Sequence, residues 1–125
     1  MKAIKILSLG IVLFTILMAS GCKKDEPVTA NGQIKGSAIS NGKTLKPTTF
    51  YLKFGTVNFP GTDISKYDKY NVADADGKFS FKGLSNGDYY IYAIGVDNGV
   101  NVSGSIHILL VNDEIKDNVI ITLVP

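Results

Sequence analysis

Asp74-Ala75-Asp76-Gly77-Lys78-Phe79-Ser80-Phe81-Lys82-Gly83-Leu84-Ser85-Asn86-Gly87-Asp88-Tyr89-Tyr90-Ile91-Tyr92-Ala93 is the stretch whose reading decides the fold. Asp76-Gly77 is a tight-turn dipeptide, because such a turn needs positive φ and glycine adopts it without a Cβ clash. Beyond it, Phe79 and Phe81 face one way and Lys78, Ser80 and Lys82 the other. That is the period-two alternation of a half-buried strand. Phe79, Phe81 and Leu84 are expected to fill the space between two sheets. Asn86-Gly87 makes a second turn, and Tyr89 to Val96 is the strongest strand signal in the chain. Leu84 to Tyr89 has the form of a tyrosine corner, in which a Tyr hydroxyl bonds back to backbone a few residues upstream and holds an irregular crossing between sheets.

The same pattern extends to both sides. Ile34, Gly36 and Ala38 alternate in a first strand that ends at Asn41-Gly42. Phe50, Leu52 and Phe54 alternate with Tyr51 and Lys53 in a second, and a polar loop with Pro60-Gly61 follows. Asp68 to Ala73 reads as a strand with Tyr70 and Val72 on one face. Asp97-Asn98-Gly99 ends the Tyr89 strand. Ser103 to Val111 is apolar on both faces at its end, which predicts a central strand. Asn112 to Asn118 reads as a polar turn, and Val119 to Val124 closes the chain. No segment from Gly32 onward carries a 3.6-residue apolar period, so no helix is at hand to cover a sheet and each sheet must cover the other. The expectation is an all-β fold, an antiparallel β-sandwich of about seven strands.

The quoted stretch resembles the carboxypeptidase regulatory-like domain, whose fold is a transthyretin-like (prealbumin-like) seven-stranded sandwich. The family pattern is a D-x-D-G-x-F-x-F hairpin, a Leu, and then G-x-Y opening the next strand. Asp74, Asp76, Gly77, Phe79, Phe81, Leu84, Gly87 and Tyr89 occupy those positions. The usual Pro before the second Gly is replaced by Asn86, which also turns a chain. The same pattern fits related prealbumin-like and collagen-adhesin repeat domains. The resemblance implies a companion domain of peptidases rather than their catalytic part.

The N-terminus has a different composition. Lys2 and Lys5 form a positive head, Ile6 to Met18 is mostly apolar, and small residues Ala19-Ser20-Gly21 precede Cys22. These are the marks of a secretory signal. A membrane-spanning helix wants about 20 apolar residues, and this run stops short before Lys23-Lys24-Asp25-Glu26. An ordinary signal with a chance cysteine is the other bland alternative. Ala19-Ser20-Gly21-Cys22 resembles the lipobox of bacterial lipoproteins, although Leu is commoner where Ala19 stands. That resemblance implies cleavage between Gly21 and Cys22 and a diacylglycerol thioether on the Cys22 sulfur, often with a further acyl chain on its amine. Two or more fatty chains give stable anchoring where one gives only marginal binding. The resulting organisation is a signal peptide over 1–21, a lipidated N-terminus and flexible tether over 22–31, and a β-sandwich over 32–125. Lys23, Lys24, Asp25 and Glu26 read at the least as a solvated linker. They also look like the surface-export signal of one group of Gram-negative lipoproteins, which implies an outer membrane lipoprotein facing the cell exterior. A periplasm-facing placement is the alternative.

Charge and residue inventory narrow the chemistry. The chain has 13 lysines, no arginine and 11 acidic residues. Lys2 and Lys5 belong to the signal, so the remainder is balanced. Without arginine there are no bidentate phosphate or carboxylate clamps, and no basic footprint for nucleic acid appears. Cys22 is the only cysteine, and lipidation consumes its thiol, which leaves no intrachain disulfide, cysteine nucleophile or zinc cluster.

Three features invite a sharper reading. Asp74, Asp76 and Gly77 resemble part of a calcium loop, but Val72 and Gly83 stand where an earlier acidic ligand and a bidentate Glu are needed. A turn is therefore expected, with no metal and no cofactor. His107 is the sole histidine, on a strand whose Ile106, Ile108 and Leu110 are core candidates. It is expected to be an outward surface residue, with no triad or metal spacing around it. Finally, if Tyr89, Ile91 and Ala93 share the core face, then Tyr90, Tyr92 and Ile94 point outward, as Tyr51 does on its own strand. Exposed aromatics stack on sugar rings and anchor protein contacts, although tyrosines also serve as ordinary cross-strand packing. The functional expectation is a non-enzymatic, membrane-tethered structural or interaction module. The alternative is a glycan-binding accessory lipoprotein that uses Tyr51, Tyr90 and Tyr92.

Overall fold

The computed structural model describes residues 30–125. The expected signal over residues 1–21, Cys22 and the Lys23–Glu26 run lie outside the described residues. The chain forms β1 (Gly32–Ser40), β2 (Lys43–Thr44), β3 (Thr48–Phe54), β4 (Lys69–Val72), β5 (Lys78–Leu84), β6 (Gly87–Asp97), β7 (Val100–Leu110) and β8 (Ile115–Thr122), with one 3₁₀ turn at Ile64–Lys66. Seven of these are the expected strands, and the eighth is the two-residue β2.

The strands divide into two sheets. In sheet A, β1 is central, with β8 along one edge and β5 and β2 along the other. Sheet B runs β4-β3-β6-β7 and is antiparallel throughout. Two expectations are corrected here. First, β8 pairs with β1 in parallel, so the sandwich is predominantly rather than wholly antiparallel. No hairpin joins these two strands, so no turn imposes opposite directions, and alternation carries no information about direction. Second, β7 is an edge strand of sheet B, not a central one. Its second apolar face, at Leu109 with Val111 just beyond the strand, is exposed. The polar turn between β7 and β8 is also shorter than expected, because Ile115 to Asn118 already belong to β8.

The core lies between the sheets and follows the alternation. Ile34, Ala38, Phe79, Phe81, Leu84 and Ile121 face it from sheet A. Phe50, Leu52, Tyr89, Ile91, Ala93 and Leu110 face it from sheet B. Phe79 packs on Phe50 across the gap with ring centroids 4.3 Å apart, and on Phe81 at 5.8 Å.

The turn before β5 is built by its own residues. Asp74 Oδ1 accepts hydrogen bonds from the backbone N–H groups of Asp76 and Lys78, each at 2.9 Å. Gly77 takes φ 77°, and a Cβ there would lie 2.5 Å from the Thr44 methyl. Asp74 Oδ1 is thus the acceptor that closes the turn.

The crossing from β5 in sheet A to β6 in sheet B is the tyrosine corner. The Tyr89 hydroxyl donates to the Ser85 carbonyl at 2.6 Å, with Gly87 at φ 146° between them. Removing that hydroxyl alone, in Tyr89→Phe, is expected to keep the fold and lower stability by about 1 kcal/mol, the net value of one hydrogen bond. A reduced urea midpoint with an unchanged slope would show it. The opposite end of the sandwich has its own tie, since Asp97 at the end of β6 accepts from the buried Ser40 hydroxyl at 2.7 Å and from the Asn41 amide at 3.1 Å.

Candidate functional site

Strand register sets the outer face of sheet B. Thr49 pairs with Val72, Thr49 with Ile94, and Ile94 with Ser103, so these four residues form one row across the sheet. The next row is Tyr70, Tyr51, Tyr92 and Ser105. A third contains Lys53, Tyr90 and His107. Residues directly opposite on one face have Cβ atoms about 4.5–5.5 Å apart, so each row is a line of touching side chains.

Part of this face is covered. The loop between β3 and β4 folds back over Tyr92 and Tyr90, in the middle of the second and third rows. Tyr67 stacks on Tyr92 with centroids 5.9 Å apart and an interplanar angle of 23°. Phe59 lies 5.5 Å from Tyr92 and 5.9 Å from Tyr90. Tyr51 meets Tyr67 at 6.0 Å and Tyr70 at 6.3 Å. The loop is pinned at its base, where Asp68 N–H donates to the Leu52 carbonyl and Phe54 N–H to the Asp68 carboxylate, both at 2.8 Å. Within it, the Tyr67 hydroxyl donates to the Gly61 carbonyl at 2.8 Å. Asp63 caps the 3₁₀ turn through Ser65, whose hydroxyl and N–H hold the Asp63 carboxyl below its ordinary range.

This arrangement corrects one expectation. Tyr92 is on the outward face as read, but it is only 7% exposed, because the loop closes over it. Tyr51 and Tyr90 are half-buried. The open aromatics are Tyr70, 68% exposed, and Phe59. The polar character of the loop hid this cover, and its two aromatics, Phe59 and Tyr67, were the available signal.

Burial, reinforced by the neighbouring Tyr92 and Tyr90, pushes the Tyr67 phenol from 10.0 up to about 12. The folded protein therefore keeps a proton there that the unfolded chain releases. The stability that comes from keeping Tyr67 protonated is full below pH 10.0, falls as pH rises through the interval, and is lost above about 12. Titration of tyrosinate absorbance is expected to show one late-ionising tyrosine, absent in Tyr67→Phe.

Beyond the loop the face is open. Pro47, Thr49, Tyr92, Ile94, Val96, Asn101 and Ser103 line a groove of about 540 Å³. None of its lining residues is charged. The outer face of sheet A differs: its depression of about 570 Å³ includes Lys35, Lys78, Lys82, Asp74 and Asp117.

His107 is on the outward face of β7, as expected. Its Nε2 lies 2.9 Å from Asp88 Oδ1, and both side chains are partly exposed. No serine or threonine hydroxyl bonds it among the described residues. Those residues also contain no group of three or more His, Cys, Asp or Glu side chains able to hold a metal, and no helix long and apolar enough to cross a membrane.

The fold is an all-β sandwich of two mainly antiparallel sheets. No family model matches the chain, and no curated protein matches it. Among solved structures it is similar to a proposed carbohydrate-binding protein from Pseudomonas aeruginosa, at 18% identity and TM-score 0.50, covering 80% of this chain and 93% of that one. It is also similar to the major pilin subunit of Bacillus cereus, at 19% identity and TM-score 0.49, covering 74% of this chain and 30% of that one. At such identities the likeness shows fold alone, and it indicates no enzyme family.

Proposed function

We propose that this protein is a membrane-tethered, non-catalytic binding module whose working surface is the outer face of sheet B. The observation that carries the reading is the open, uncharged groove beside a ledge of aromatic side chains. Apolar floors with a few polar groups are the usual make-up of ligand sites, and exposed aromatics suit flat apolar ligand faces. The sandwich fold shared with a proposed carbohydrate-binding protein fits such a role. The carboxypeptidase regulatory-like pattern at Asp74–Tyr89 agrees with a companion domain rather than an enzyme.

Glycan is the ligand class this surface favours, with protein the other. Glycan-array or pull-down signal from the domain is expected to fall when Tyr70→Ala is combined with Tyr90→Ala. Signal retained in that folded variant would remove the aromatic ledge from the account and leave the groove as the part of this face still to be tested by its own variants.

The tether is the second part of the proposal. It rests on the sequence Ala19-Ser20-Gly21-Cys22 and on the signal before it. Lys23 to Glu26 supports display on the cell exterior. In cells fed a labelled fatty acid, the wild-type chain is expected to take up label and sediment with membranes. Cys22→Ala is expected to lose both. A Cys22→Ala chain that still carries lipid would overturn the anchor, and protease accessibility on intact cells separates outward from periplasm-facing placement.

A further inference from the structure

We infer that the open groove on sheet B takes a neutral sugar ring, with Ile94 and the edge of Tyr92 as floor and Thr49, Asn101 and Ser103 as hydrogen-bonding rim. This deepens the binding-module reading above and rests on it. The inference starts from three observations.

The first is shape. Loop 55–68 covers Tyr92 and Tyr90, and the groove begins at Tyr92, whose ring lies under Tyr67. Pro47 and Val96 bound the groove beyond the Ile94 row. Its volume of about 540 Å³ lies within the roughly 300–1,000 Å³ typical of small-ligand sites.

The second is the polar inventory. Thr49 and Ser103 flank Ile94 on either side in one row, and Asn101 lies opposite Val96 in the next. None of the three side chains takes part in a hydrogen bond among the described residues. Two hydroxyls and one amide therefore remain available around an apolar floor. Each can both donate and accept. A pyranose has the complementary form: an apolar face of C–H groups and a rim of hydroxyls that also donate and accept.

The third is charge. No lysine, aspartate or glutamate lines the groove. A uronate, sulfate or phosphate would leave its water without gaining a counter-charge, which is unfavourable. The lysines that could attract such an anion sit on the other sheet, at Lys35, Lys78 and Lys82. The groove therefore selects uncharged residues of a glycan.

Isothermal titration of the folded domain with neutral hexasaccharides (cello-, xylo-, malto- and laminari-series) tests this, with oligogalacturonate as the charged counterpart. At least one neutral series is expected to bind and oligogalacturonate is not. Thr49→Val, which keeps shape and removes the hydroxyl, is expected to weaken binding about fivefold, and Asn101→Ala with Ser103→Ala more than tenfold, the scale of one and two lost hydrogen bonds. Near-native circular dichroism and urea midpoints would show that these surface variants fold. Neutral sugar binding that is lost in Tyr70→Ala but untouched by the two groove variants would overturn the groove while leaving the sheet B reading in place. Preferential binding of oligogalacturonate, weakened by Lys35→Gln with Lys78→Gln, would overturn both. Absence of any saccharide binding would overturn the groove assignment, and the Tyr70→Ala/Tyr90→Ala capture experiment then decides the wider reading on its own.

Discussion

Replacing Phe79 with alanine is expected to lower stability by about 3–5 kcal/mol, the cost of truncating a fully buried Phe. Phe79 is 2% exposed and comes from β5, in sheet A. Its ring meets Phe50 of β3, in sheet B, at 4.3 Å and Phe81 of its own strand at 5.8 Å. Truncation therefore removes both the transfer energy of the ring and the aromatic contact that bridges the sheets, and it leaves a cavity between two rigid surfaces with little freedom to collapse. The whole domain has on the order of 5–15 kcal/mol to lose, and it has no disulfide in reserve. Urea unfolding should show a large fall in midpoint, and a loss under about 1 kcal/mol would be too small for a side chain in this position. Phe79→Leu, which refills most of the volume, is expected to recover much of the deficit.

Gly104→Ala is expected to be damaging for a different reason. A Cβ at this position would sit 2.1 Å from the Thr122 carbonyl oxygen and 3.0 Å from its carbon. Those are backbone atoms of β8 and cannot swing aside. The bare Cα of β7 is what allows the end of β8 to cross toward sheet B, where Ser103 and Val124 exchange two backbone hydrogen bonds of 2.9 Å each. An added methyl must push the two strands apart, at a cost of about 1–3 kcal/mol for forced overpacking. Amide hydrogen exchange gives the specific signature: protection at Ser103 and Val124 should fall more than at Ile91 in the middle of β6. Uniform loss across the domain would instead mean a general destabilisation.

The contrast between these two residues shows what was legible in the sequence. Phe79 was readable as core, because alternation after Asp76-Gly77 assigns it to one face and two sheets must cover each other. The corner at Tyr89 was readable for the same reason, since a turn at Asn86-Gly87 followed by Tyr leaves few ways to cross between layers. Gly104 was not readable. Its role depends on the approach of β8, a strand distant in sequence whose parallel pairing with β1 no local turn announces. The apolar faces of β7 suggested a central strand, yet the second face is exposed at an edge.

The functional face divides along the same line. Strand parity correctly put Tyr90, Tyr92 and Ile94 on the outward side of β6. Parity says nothing about what lies above a face, and Phe59 and Tyr67 cover Tyr92 from a loop with no period of its own. Closure of that loop transfers the open surface to Ile94, Thr49, Asn101 and Ser103. These residues are unremarkable in sequence because their meaning comes from register across three strands. The Lys23–Glu26 run and Cys22 are the opposite case: their proposed roles are chemical addresses, legible in sequence and independent of the fold.

Backbone amide mapping by nuclear magnetic resonance, with the domain titrated by neutral hexasaccharides, tests most directly the claim that sheet B carries the working surface. The predicted result is a contiguous set of shifted amides at Thr49, Ile94, Val96, Asn101 and Ser103, with Lys35, Lys78 and Lys82 unmoved. Shifts centred on those lysines of sheet A, or none on the outer face of sheet B, would contradict it.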